Sequence, residues 1–162
     1  MIRFIFALLL ISVSAGAQSQ PSVVGTWRLV SFVAADSTGK YGPVWGDHPA
    51  GLIVYTADGH MAAQLYDPTR ARLGPLSNAS PRAATQPSFV GLYTYFGTFD
   101  LDTVKQTVSH HVEGAMAPDW IGATLVRGYR FLTPDRIELR TLADPTGKTA
   151  TVMSTLVWER IR

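Results

Sequence analysis

A chain of 162 residues with 46% hydrophobic and 16% charged side chains can bury one sizeable core and is too short for two ordinary domains. Its 14 basic and 12 acidic side chains are scattered, without the Lys/Arg stripe that a phosphate backbone requires, so nucleic acid is not an expected partner. Without cysteine there is no lipobox thiol for a lipid anchor, and stability in an oxidising compartment has to come from packing.

Residues 1–17 read as a signal peptide: Arg3 supplies a positive start, Phe4 to Val13 is almost unbroken apolar sequence, and Ala15-Gly16-Ala17 offers small residues for cleavage after Ala17. The apolar run is too short to span a bilayer, so no stable membrane insertion is expected after cleavage, and the protein is expected in the periplasm or secreted. Residues 18–22 form a polar leader and residues 23–162 one domain.

The first strand is expected over 24–33, rich in β-branched and aromatic residues and stopped by the turn signal Asp36-Ser37-Thr38-Gly39. Strands over 51–56 and 60–66 flank Ala57-Asp58-Gly59, turn chemistry for a tight hairpin. Residues 67–87 shift to Pro, Arg, Ser, Ala and Asn and mark a long surface excursion. Ser88 as an N-cap, with Phe89, Leu92, Tyr93 and Phe96 at helical spacing, predicts a short helix over 88–96. Five further strands follow, over 97–101, 106–113, 125–132, 136–142 and 151–161, separated by Asp- and Pro-containing turns. Eight short strands without helical crossovers predict an all-β, eight-stranded antiparallel up-and-down barrel of a size to hold one small ligand.

Alternation on 106–113 puts Val108, His110 and Val112 on one face, the apolar and therefore inward one, with His111 and Glu113 on the other. An inward His110 needs a hydrogen-bond partner or a ligand to offset desolvation. A one-residue register slip would instead send His111 and Glu113 inward, so all three are candidates. Adjacent strand residues point to opposite sides, so the His-His-x-Glu string is a poor metal site and no metal is expected. Arg127 and Arg130 fall on opposite faces; an inward Arg127 would clamp an anion, and the alternative is an exterior ion pair with Glu113 or Glu138. Tyr55, Gln64 and Tyr95 are further candidates for orienting a ligand, and Trp120 either lines the cavity mouth or plugs the core. No phosphate-binding loop, nucleophile elbow, zinc helix or thiol nucleophile is present, so no cofactor is expected and motif-bearing hydrolase mechanisms are disfavoured.

Gly25-Thr26-Trp27, the run from Tyr55 to Met61, Tyr95-Phe96-Gly97-Thr98-Phe99, His110-His111-Val112-Glu113 with Pro118-Asp119-Trp120, and the closing Leu156-Val157-Trp158-Glu159-Arg160 occur in this order. Together they resemble the bacterial and fungal lipocalin-like domain family, a calycin-type barrel. That resemblance implies a barrel closed at one end by Trp27 packed against a cation, with Arg160 the candidate; a plain core role for Trp27 stays open. It implies no single activity. Three readings therefore stand: an exported binder of a small, mainly apolar molecule with a polar or anionic end; an isomerase or cyclase with His110 as base and Arg127 steadying negative charge; and a filled barrel serving as a protein-interaction module.

Overall fold

The computed structural model describes residues 21–70, 90–142 and 152–162. Among the described residues nine antiparallel strands follow in chain order: β1 (Gly25–Ala35), β2 (Tyr41–Pro43), β3 (Ala50–Tyr55), β4 (His60–Tyr66), β5 (Leu92–Asp102), β6 (Thr107–Ala115), β7 (Thr124–Thr133), β8 (Arg136–Thr141) and β9 (Ser154–Arg160). Eight of them, β1 and β3 to β9, pair each with its neighbour, and β1 pairs with β9 to close the barrel. Closure leaves no free edge in this ring. The short β2 pairs only with the end of β1, its Pro43 opposite Val33. A proline lacks the N–H that an inner strand must donate, so this is an edge position.

Three differences from the sequence reading are local. The helix expected over 88–96 is absent from the described part of that segment: Leu92 to Phe96 already belong to β5. The only helical turn among the described residues is a 3-10 turn at Pro118–Trp120. The strand β2 was not anticipated. The expected signal peptide, most of the 67–87 excursion and the start of the strand expected over 151–161 lie outside the described residues. Among those described, no helix is long and apolar enough to cross a membrane.

The core is the inside of the ring. Trp27 and Leu29 of β1, Ile53 and Tyr55 of β3, Met61, Ala63 and Leu65 of β4, Ile137 and Leu139 of β8 and Trp158 of β9 are buried there at alternate positions. Each fully buried aliphatic side chain contributes about 1.5–3 kcal/mol.

Two irregularities aim the inner face. A register shift between Leu29 and Ser31 restores inward facing for Phe32, opposite Leu156. A second, between Phe96 and Gly97, leaves Glu113 without an opposing residue on β5, because Gly97 faces Val112 and Phe96 faces Gly114. Here β6 crosses so close that a Cβ on Gly97 would lie 1.9 Å from the His111 carbonyl oxygen, so only glycine fits.

Candidate functional site

One end of the barrel is shut. The Arg160 guanidinium lies 4.0 Å from the Trp27 ring centroid and donates hydrogen bonds to the carbonyls of Val24 (2.8 Å) and Ser22 (2.5 Å), while its Nε is 3.6 Å from Asp135. The Trp27 indole N–H donates to the Val23 carbonyl at 2.7 Å. Gly25 makes room for the arginine: its φ of 140° is open to glycine, and a Cβ there would stand 2.4 Å from Arg160 Nη1.

The polar centre hangs on β6. Val108, His110 and Val112 face inward, and His110 is 1% exposed. Its ring is held from two sides: the Tyr55 hydroxyl lies 2.8 Å from Nε2 and the Tyr95 hydroxyl 3.0 Å from Nδ1. Phe99 packs edge-on against Tyr55, with centroids 4.8 Å apart. Burial, reinforced by the charges of Arg127 and His111, pushes the His110 imidazole down to about 3, so it is neutral across the physiological range. Burial likewise pushes both tyrosines up, well above the ordinary phenol range in Tyr55, while Arg127 opposes the rise in each.

A neutral imidazole carries one N–H and one acceptor nitrogen. One tyrosine therefore donates to His110 and the other accepts from it. The accepting tyrosine keeps its own O–H proton uncommitted. Tyr55, His110 and Tyr95 thus form a chain that ends in a spare donor.

Arg127 faces the same interior. It stands opposite Val108 on β6 and Thr141 on β8, both buried inward residues, and directly opposed residues of an antiparallel pair share a face. Its guanidinium donates to the Val126 carbonyl at 3.0 Å, and among the described residues it has no carboxylate partner. The inner face nearby bears buried Thr141, whose hydroxyl is engaged with Ser154 Oγ at 2.5 Å.

Aromatic rings gather at the end opposite Arg160. Trp45 stacks on Tyr93 (5.5 Å between centroids), Tyr93 stacks on Trp120 (5.9 Å), and Trp120 meets Tyr95 edge-on (5.7 Å). Phe32 packs edge-on against Trp45 at 5.2 Å. Trp45 has a φ of 62°, in the left-handed region that a tryptophan occupies at a cost on the order of 1–3 kcal/mol. The ring chain runs without a break from the rim to the Tyr95–His110 contact.

Tyr55, Tyr95, His110, Trp120 and Arg127 are thus connected through this interior. Three candidates from the sequence are not. Gln64 is exposed on the outer face, opposite exposed Leu52, because β4 alternates in phase with buried Met61, Ala63 and Leu65. Glu113 is exposed at the bulge, and His111 points outward. Rather than meeting Glu113, His111 bridges Asp100 at 2.8 Å and Thr124 at 3.1 Å on the outer wall. Arg130, also outward, pairs with Glu138 at 3.1 Å. Among the described residues no group of three or more His, Asp or Glu is placed to hold a metal ion.

A family model described as a lipocalin-like domain matches residues 24–161, the whole of this barrel. The chain belongs to that family. Solved structures similar to this lipocalin-like chain include a redesigned β-barrel (10% identity, 86% of this chain and 92% of that one, TM-score 0.43). Another is a de novo designed fluorescence-activating β-barrel (13% identity, 85% and 93%, TM-score 0.41). No curated protein matches the sequence.

Within the lipocalin-like barrel, sequence reasoning missed Trp45 and Tyr93. Tyr93 carried a signal, since it lies two residues before Tyr95 and shares its face once both are read as strand. Trp45 owes its place to a loop conformation that no periodicity reports.

Proposed function

We propose that this lipocalin-like protein is exported and holds in its barrel a small, mainly apolar molecule with a polar or anionic end. The observation that carries the reading is Arg127, a cation on the inner face without a carboxylate partner among the described residues, beside the Tyr55–His110–Tyr95 chain. A partly buried guanidinium of this kind gains most from an anion that brings its own negative charge. Phe32, Leu125 and Leu156 pack on the core yet stay partly exposed, giving the ligand's apolar body a surface to cover.

The alternative of an isomerase or cyclase is less well supported. An imidazole whose two nitrogens are both engaged, and which is pushed down to about 3, is a weak base.

The test is native mass spectrometry of protein recovered from periplasm or medium, followed by titration with dodecanoate and dodecanol. A mass beginning at Gln18 and a co-purifying small molecule are expected. Dodecanoate should bind better than dodecanol by about 10-fold or more, the worth of a hydrogen bond to a charged group. Arg127→Met should erase that preference with the melting temperature nearly unchanged. A barrel that binds neither probe defeats the proposal.

A further inference from the structure

The inward-facing residues divide the barrel into a filled half and an open half. Leu29, Trp158 and Ile137 stand opposite one another in a row across β1, β9 and β8 and are 5%, 1% and 1% exposed. Phe131 of β7 ends this row and packs on the wholly buried Trp27, with centroids 6.3 Å apart. A layer packed to this density admits no ligand.

The next row toward the rim, Phe32–Leu156–Leu139–Tyr129, is the boundary. Leu139 and Tyr129 are buried in it, whereas Phe32 and Leu156 are half-buried. Above it Arg127 is half-buried on β7. Across the barrel, Tyr93 is 41% exposed although it shares the inward face of Tyr95. Solvent therefore reaches the inner face at this end and stops at the boundary row. Rows on one face are two residues apart, so the open space beneath Arg127 is roughly 7 Å deep.

The wall of this cup is aromatic. Trp45, Tyr93 and Trp120 stand in series, with successive planes 26° and 14° apart, and Phe32 meets Trp45 edge-on. Trp45 is held in the series at a φ of 62°, and backbone strain of this kind collects at ligand clamps. A flat ring meets such a wall through stacked and edge-on contacts that an alkyl chain cannot make.

We infer that the ligand is a compact aromatic anion, its charge on Arg127 and its ring in the cup against the series Trp45–Tyr93–Trp120. This rests on the functional reading above and narrows it. A long-chain acid anchored at Arg127 outruns the cup and leaves most of its methylenes in water, whereas one ring or two fused rings are covered.

The experiment titrates the full chain with hexanoate, octanoate, decanoate, dodecanoate and naphthoate by calorimetry. In a deep cavity each added pair of methylenes would raise affinity by more than about tenfold. Here the gain should stop by octanoate, and naphthoate should bind about tenfold more tightly than any of the alkanoates. Trp120→Leu should weaken naphthoate about tenfold and octanoate by about twofold at most. In the unsubstituted protein the naphthoate ring protons should shift upfield in NMR spectra, under the ring currents of the wall. That readout does not depend on the variant folding. Naphthoate no tighter than octanoate, or alkanoate affinity that climbs through dodecanoate, overturns this inference and leaves the functional reading intact. Failure of every one of these acids to bind overturns both.

Discussion

His110 exchanges a charged, solvated form in the unfolded chain for a neutral, buried one in the barrel. Its ordinary value is 6.5 and its folded value about 3, so between these limits the unfolded chain binds the extra proton. Stability is therefore highest above pH 6.5 and falls as the solution is acidified toward pH 3, by up to about 1.4 kcal/mol per pH unit from this group alone. Chemical denaturation at pH 7, 5.5 and 4 should show that slope, and His110→Gln should flatten it; equal slopes in both proteins would refute the assignment. At this scale the sequence was informative where apolar neighbours fixed a phase. Val108 and Val112 put His110 inside, and the structure agrees. The same argument from Met61, Ala63 and Leu65 puts Gln64 on the outer face, where the structure has it. That the buried Trp158 indole N–H has no hydrogen-bond partner among the described residues had no signature in sequence, because whether a donor is satisfied depends on groups far away along the chain.

The strands themselves were largely legible, since turn chemistry separates them: Asp58-Gly59 closes the β3–β4 hairpin, with Gly59 at a φ of 89°. The failure came at β5. Phe89, Leu92, Tyr93 and Phe96 have helical spacing, but Tyr93, Tyr95 and Phe96 also favour a pleated surface. Pairing with β4 from Tyr66 to His60 decides in favour of the strand, because a neighbouring strand supplies hydrogen bonds and packing that a one-turn helix lacks. The floor is also set by elements, with Arg160 at the end of β9 tying the leader before β1 to the turn before β8. Arg160→Met keeps the stem and removes the cation and its donors. It should cost about 2–3 kcal/mol, read as a lower denaturation midpoint with an unchanged slope. A loss below about 0.5 kcal/mol would mean that Trp27 packs as well without its cation.

For the whole molecule, the sequence pointed to a closed ring through strand count and hairpin-length links, and a family model matching residues 24–161 agrees. The seam is the least local part: Trp27 faces Arg160 and Ala34 faces Ser154, joining the first strand to the last. Removing residues 154–162 should abolish cooperative unfolding rather than merely lower its midpoint, because two long edges are then exposed at once. Circular dichroism melting with size-exclusion chromatography checks this; a monomer with a sharp transition would contradict it.

That seam also sets a clock. Contacts between distant segments are slow to form and reward the chain only after the intervening loop has closed. A ribosome delivering this polypeptide from its N-terminus produces β1 and its early partner β3 first, and cannot supply the partner across the seam until Ser154–Arg160 has emerged. Until then the sheet cannot close, and the facing edges of β1 and β8 stay unpaired.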